Sequence, residues 1–551
     1  MRKTWWKEGI VYQIYPRSFN DSNGDGVGDL RGIIQKLDYI KSLGVDIVWL
    51  CPVYKSPNDD NGYDISDYRD IMDEFGTMAD FDELLAGFKE RGIRLVMDLV
   101  ANHSSDEHKW FEESRKSKDN PYRDYYYWRK GKPGGGPPNN WKSFFNGSVW
   151  EYDEATEEYY LHLFTRKQPD LNWENPKVRQ EIYDAMRYWF DKGVDGFRLD
   201  VISVISKNLD FPDSPKEDFT YMVNEYYANG PRIHEFLHEM HEKVLKDYDI
   251  MTVGEGPGID LDSGPKYVGE DRQELHMIFH FGHMFIDFGP GGKYDPMNWN
   301  FRQFKKVFAD WDRRLAETNG WGSIFLGNHD FSRIVSRFGN DGEYRAESAK
   351  LLCMLLFTLR GTVYVYQGEE IGMTNVAFPD ISDYRDVETL NAWKAAEAAG
   401  KPMDRQLQLV HMQSRDNART PMQWDSSAMA GFTDGEPWIG LNPNYSNINV
   451  AAQEEDQNSI LNFYREMVQF RKAYTPLVYN DYRDLLPDHE QLFAYERKGE
   501  QNYLVVLNFS EQEVSADLPL YPNLKLTKST YKGASEGLAL RPWEGKIFTI
   551  A

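Results

Sequence analysis

Three carboxylates stand where short apolar runs end: Asp200 closes VDGFRLD, Glu255 closes DIMTVGE and Asp330 closes SIFLGNHD. A carboxylate left unpaired at the end of a buried strand is costly, so each needs a partner or a task. Arg198 precedes Asp200 by two residues, which on a strand points both side chains to the same side, where the cation keeps the carboxylate ionised. Asp98, Asn102 and His103 end another run, and His329 adjoins Asp330. Cleaving a glycosidic bond through an oxocarbenium-like transition state requires two carboxyl groups, a nucleophile or base and a proton donor. Asp200 fits the first role. Glu255 would then hold its proton near neutral pH, which requires an apolar setting or a neighbouring negative charge. Any one of these acids alone would read as a solvated loop edge. Three of them beside Arg198, His329 and His103 point to a site.

The elements that must position these residues recur as short β-branched runs separated by helix-length amphipathic stretches. Eight runs are found, at 9–16, 45–52, 93–100, 194–201, 249–255, 274–281, 323–330 and 362–370. Eight parallel strands with crossover helices close a (β/α)8 TIM barrel, an α/β fold whose chemistry sits at the C-terminal ends of the strands. The polar residues fall at those ends. The stretch from 104 to 173, containing GKPGGGPPNN, is too long for one helix and reads as an irregular inserted subdomain after strand 3. The barrel then takes 1–103 and 174–477, with a loop-rich excursion at 373–455 overhanging the active face. From 478 to 551 the runs FAYERK, NYLVVLNF, LKLTKSTY and KIFTIA lack helical periods and predict a C-terminal antiparallel β domain, a β-sandwich.

Four motifs in order, DLVANH at 98–103, GFRLDVI at 196–202, TVGE at 252–255 and GNHD at 327–330, together with QPDLNW at 168–173, resemble glycoside hydrolase family 13. The resemblance covers essentially the whole chain and is to the oligo-1,6-glucosidase and dextran-glucosidase branch of this α-amylase family. It implies a retaining α-glucosidase in which Asp200 attacks the anomeric carbon, while Glu255 protonates the leaving oxygen and then activates water. Asp330, His103 and His329 would bind the same glucose ring, and Arg198 would orient Asp200. NDDNGYDI at 58–65 and SRDNARTPMQW at 414–424 resemble the segments that close an exo-acting pocket, with Asp60 and Arg415 clamping the non-reducing glucose and Tyr63 stacking under it. Read without the resemblance, Asp60 and Arg415 would be an ordinary surface ion pair. Gln168, in QPDLNW, joins the substrate-binding set, and Phe144 and Phe164 would wall the leaving-group side or simply be core. Val201, after the nucleophile, favours α-1,6 linkages, where maltases of the branch carry Thr. Gly256 and Phe331-Ser332 depart from the branch, so that Gly256 would open space and Phe331 refill it.

The loop DSNGDGVGDL places oxygen ligands at alternate positions, the beginning of an EF-hand spacing without its twelfth-position Glu. Asp21, Asn23, Asp25, the Val27 carbonyl and Asp29 are expected to hold a structural Ca²⁺, with Mg²⁺ as the alternative and a metal-free Asx turn as the bland reading. No redox or nucleotide cofactor is expected. Lys and Arg number 63 against 88 Asp and Glu, and the resulting net charge of −25 disfavours nucleic acid and anionic membranes. Aromatic residues at 15% suit sugar binding as well as a large core. Two cysteines in apolar runs, no signal-peptide stretch and no membrane-length apolar run lead to the expectation of a cytoplasmic monomer or weak homodimer acting on small oligosaccharides. Rival substrates are α-1,4-glucosides, sucrose and trehalose-6-phosphate. A sucrose isomerase would carry an Arg-rich RLDR-like segment where this chain has HMFIDFGP at 283–290. A non-enzymatic transporter heavy chain would lack the carboxylates.

Overall fold

The computed structural model describes residues 3–519, 521 and 523–550, so the outermost residues of the expected first and last domains lie outside it. Eight parallel strands form one sheet: β1 (Ile10–Ile14), β2 (Ile47–Leu50), β3 (Arg94–Val100), β4 (Gly196–Asp200), β5 (Met251–Glu255), β6 (Met277–Phe279), β7 (Ser323–Ile324) and β8 (Thr362–Tyr366). Their order, β6-β5-β4-β3-β2-β1-β8-β7, runs around a barrel. The Ser323 hydroxyl donates to the Ile278 carbonyl at 2.7 Å, joining the two end strands and closing it. Almost every strand residue is buried, because helices cover the outside while side chains fill the inside, and this is why the strands read as continuous apolar runs. β7 is much shorter than the expected 323–330. The chain leaves regular pairing early, and Gly327-Asn328-His329-Asp330 forms the loop that carries its polar residues inward.

The helix that delivers the chain to β4 shows how local sequence sets position. Asn175 caps it by accepting from the Lys177 N–H, Pro176 occupies the first turn, and Gly193 ends it at φ 103°, where a side chain would be strained. Val178, Ile182, Met186, Trp189 and Phe190 line its buried face at helical spacing. Truncating Trp189, which is fully buried, would cost about 3–5 kcal/mol.

The stretch between β3 and β4 is less irregular than its composition suggests: 128–129, 158–161 and 150–153 pair, in that spatial order, as a three-stranded antiparallel sheet. A bridge between His103 and Asp170 ties its beginning to its end. Lys207, itself buried, holds Asp170 at 2.7 Å and Asn102 at 3.2 Å, fastening the insertion to the barrel mouth. The 373–455 excursion is rich in loop but carries helices of its own. Helices Val387–Ala398 and Met403–Gln413 lie within it, the first capped by Asp386 and rich in Ala and Glu. Beyond the helix Ile460–Ala473, a five-stranded antiparallel sheet spans 481–550, and a two-stranded pair at 514–515 and 539–540 accompanies it.

Candidate active site

Arg198 rises from β4 into the barrel mouth and is fully buried. Its Nη1 donates to Asp98 at 2.8 Å and to Asp200 at 2.6 Å, and its Nη2 donates to Glu255 at 2.6 Å. One guanidinium thus holds three carboxylates contributed by β3, β4 and β5. Asp98 is further bound by the Tyr63 hydroxyl at 2.9 Å and the Trp49 indole at 3.2 Å, so it acts as the anchor of the fork.

Three acids sharing one cation cannot all ionise without cost, and the proton belongs where the environment most opposes charge. Burial, reinforced by Asp200 and Asp330 and opposed by Arg198, pushes the Glu255 carboxyl up to about 8. Burial also raises Asp200 above the usual carboxylate range, with Arg198 pulling it back. The arrangement therefore suits a protonated Glu255 beside an ionised Asp200.

Val201, directly after Asp200, adopts φ 37° and ψ 39°, a left-handed conformation that a β-branched residue resists. This turn aims the Val201 N–H at Glu255 Oε2, 3.1 Å away. Its side chain packs in a cluster with Phe145 and Phe164 of the insertion. Phe144 stacks on Phe164 at 4.7 Å, and Phe164 leans against His103 at 5.0 Å.

Facing this fork is a second charged group. Arg415 donates to Asp60 at 3.1 Å, to Asp330 at 3.3 Å and to Asp386 at 2.8 Å. The Asp60–Arg415 pair is buried, so the surface reading of it does not hold. Arg419, four residues on, binds Asp330 at 2.9 Å and the His329 carbonyl at 3.0 Å. Burial alone would raise the Asp330 carboxyl, but its charged neighbours outweigh that and hold it well below the usual range. Burial lowers His329 to about 3, so at neutral pH the ring is uncharged and the two arginines keep Asp330 ionised. Gln13 lies 2.8 Å from His329 Nδ1, which it serves as a donor, leaving the Nε2–H turned toward Asp330. Tyr63 covers one face of the His329 ring, 5.2 Å away and nearly parallel. Gln168 reaches Asp60 at 3.1 Å and lies beside His103, whose pKa burial lowers to about 4.

All the expected site residues outside the 21–29 loop therefore line one mouth, in two groups, with Val201 and the phenylalanines along one wall. Sequence reasoning did not single out Arg419 or Asp386. Arg419 shares a motif and a helical spacing with Arg415, which was a usable signal; Asp386 lies in the excursion, where none existed. A Cβ at Gly256 would come 2.5 Å from Ile259, so the space expected there is already filled.

The 21–29 loop stands apart. Asp21 accepts from the Asn23, Gly24 and Gly26 amides and from Thr433, and Asp29 accepts from Ser22 and caps the next helix through Gly32. Asn23 and Asp25 face solvent. The donor set is all oxygen and fits a hard cation. Among the described residues no three Asp, Glu, His or Cys side chains converge as a metal cluster, so a cation here would rely on amide and carbonyl oxygens beside its carboxylates.

A family model described as the α-amylase catalytic domain matches residues 13–480. The chain is 57% identical to an oligo-1,6-glucosidase of Parageobacillus thermoglucosidasius over 100% of both chains. It is 47% identical to a trehalose-6-phosphate hydrolase of Bacillus subtilis strain 168, covering 99% of this chain and 98% of that one. Among solved structures, an isomaltulose synthase from Klebsiella sp. LX3 superposes with a TM-score of 0.98 at 44% identity, with 100% of both chains covered. A full-length match of this kind, on a barrel that brings the motif carboxylates to one mouth, makes the chain a member of the α-amylase family of glycoside hydrolases.

Proposed function

We propose that this protein is a retaining, exo-acting α-glucosidase that removes glucose from the non-reducing end of short α-1,6-linked oligosaccharides. The observation that carries the mechanism is the Arg198 fork, which binds Asp200 and Glu255 at 2.6 Å each. Two carboxyls held on one guanidinium sit close together, as a nucleophile and its proton donor do in retaining enzymes, rather than spread apart to admit a water as in inverting ones. Asp200 attacks the anomeric carbon while Glu255 gives its proton to the departing oxygen, leaving a glucosyl ester on Asp200. Glu255, now a carboxylate, takes a proton from water, which attacks the same carbon and frees Asp200 with retention. Asp330, kept ionised by Arg415 and Arg419, and the His329 Nε2–H bind ring hydroxyls. The Asp60–Arg415 pair closes the far end of the pocket, which supports removal of terminal glucose only.

The α-1,6 preference is supported by Val201 and by the names of several relatives. Trehalose-6-phosphate is the second reading, carried by similarity to its hydrolase. Against it, Lys167, the cation nearest QPDLNW, is already engaged by Asp106 at 2.7 Å and Glu107 at 3.1 Å. The reading includes a structural Ca²⁺ in the 21–29 loop, and a monomer or weak dimer in the cytoplasm. Two buried, unpaired cysteines fit a reducing compartment, and among the described residues no helix is long and apolar enough to cross a membrane. The test is glucose release from isomaltose, isomaltotriose, maltose, sucrose, trehalose and trehalose-6-phosphate, with Asp200→Asn as control. Isomaltose should lead, and the variant should lose at least about 10³-fold in kcat. A lead for maltose, sucrose or trehalose-6-phosphate would reject the linkage, and activity in the variant would reject the nucleophile.

A further inference from the structure

Most large apolar side chains in the molecule are buried, but Phe285 is 44% exposed and Met297, in the same segment, is 54% exposed. Phe285 belongs to a ladder of rings. It stacks on Phe281 at 5.1 Å and on Phe288 at 5.0 Å, and Phe331 lies beneath, 6.3 Å from Phe285 and 6.4 Å from Phe288. Both ends of the ladder are tied to the catalytic mouth. Glu255 pairs in register with Phe279 across β5 and β6, so Phe281 lies two residues beyond the partner of the proposed proton donor. Phe331 directly follows Asp330, and Lys293 bonds the Asp330 carbonyl at 3.2 Å with its ammonium 5.6 Å above the Phe331 ring. Arg337 fixes the segment from below through Asp287, at 3.1 Å. The exposed Phe285 and the half-buried Phe288 therefore lie on the loop that follows β6, the strand paired with the one that carries Glu255.

We infer that Phe285 and Phe288, backed by Phe331, form an aromatic platform that binds leaving groups presenting a flat apolar face. Two sources supply that chemistry: the C–H face of a further sugar ring and an aryl aglycone. A stacked ring contact is favourable and sequence-neutral with respect to hydroxyl pattern, so the platform selects for length and flatness rather than for a particular sugar. The segment has phenylalanines where an isomerase would place arginines, and a platform of this kind holds a leaving group less specifically than charged side chains do. The inference deepens the α-glucosidase reading and rests on it.

The experiment compares methyl α-glucoside, phenyl α-glucoside and isomaltotriose in the whole chain, in Phe285→Ala, in Phe288→Ala and in Phe285→Tyr. Each substrate is compared with itself in the unmutated protein, so differences in intrinsic reactivity cancel. The alanine variants should raise KM for isomaltotriose and phenyl α-glucoside about tenfold, at least five times the change for methyl α-glucoside, while Phe285→Tyr restores binding. A larger effect on isomaltotriose assigns the platform to sugar, and a larger effect on the phenyl compound assigns it to aryl groups. Equal losses on all three substrates, no loss on any, or a change in oligomeric state without discrimination between substrates would overturn the platform. Failure of the unmutated protein to cleave any of the three would instead overturn the α-glucosidase reading on which it rests.

Discussion

The two sides of the pocket are built from opposite materials. Around the proposed glucose site, Arg198, Arg415 and Arg419 bind Asp98, Asp200, Glu255, Asp60, Asp330 and Asp386, nearly all of them buried. On the proposed leaving-group side the wall is apolar, with Phe144, Phe164 and Val201 on one flank and Phe281, Phe285, Phe288 and Phe331 on the other. Buried charge is directional and intolerant, because removing one partner strands the others in a low dielectric. Aromatic faces tolerate variation, because they ask only for a flat apolar partner. The contrast suggests how one scaffold serves relatives named for different leaving groups while a glucose pocket is kept: the charged half recognises what is common, and the other half is free to change.

The sharpest way to break that comparison is to remove a charge. Arg415→Ala leaves Asp60 and Asp386 facing each other without their shared cation, with Arg419 retaining only part of the cluster. Breaking a buried pair costs about 3–5 kcal/mol of stability, so the melting temperature should drop, and because Asp60 and Asp330 lose the cation that holds them, kcat/KM for isomaltose should fall by roughly 10²- to 10³-fold as well. A rim phenylalanine truncated in parallel should cost about tenfold, and only for leaving groups that reach it. Steady-state kinetics with both variants decide it; an Arg415→Ala enzyme within a few-fold of the parent would mean the charged half is no more demanding than the aromatic one.

A smaller effect separates the halves by pH. The proposed mechanism needs Glu255 protonated and Asp200 ionised. Burial raises Glu255 to about 8, so kcat/KM should decline once pH passes that value and the proton is lost. On the acid side the rate falls as Asp200 takes up a proton, and because burial raises Asp200 this limb should lie above the usual carboxylate range. In Glu255→Gln, assayed with an aryl α-glucoside that leaves without protonation, the alkaline limb should vanish while the acid limb remains. Substitutions at Phe285 or Phe288 should leave both limbs in place. An alkaline limb persisting in Glu255→Gln would assign that titration to another group.

How much of this was legible in advance divides along the same line. The barrel was readable because strands buried on both faces leave continuous apolar runs, and the polar residues interrupting them, Asp200, Glu255 and Asp330, mark the catalytic ends. Asp98 stood out as a strand-end acid, but its task as the third carboxylate on Arg198 depends on Tyr63 and Trp49 arriving from other loops. The helix at 387–398 was hidden by reading the excursion for its overall content of Asp, Asn, Gly and Pro, although VETLNAWKAAEA has a capping Asp and strong helix formers. HMFIDFGP was informative by its missing arginines; that its phenylalanines stack on Phe331, some forty residues away, is a tertiary fact that no local pattern carries.

Val201 lies where the two halves meet, and it gives the smallest and most diagnostic change. Its backbone serves the charged half, donating to Glu255 from a left-handed turn that costs a β-branched residue about 1–3 kcal/mol. Its side chain serves the aromatic half, packed with Phe145 and Phe164. Val201→Thr keeps the branching and the N–H but places a hydroxyl in that apolar wall, where it is not a neutral replacement. The pH profile should therefore stay unchanged, while the ratio of isomaltose to maltose kcat/KM falls roughly fivefold, within the range one small group commands in an apolar pocket. If the pH profile moves with the linkage ratio, the turn and the wall act as one unit at this residue. If neither moves, linkage is decided farther out, among the rings of the opposite flank.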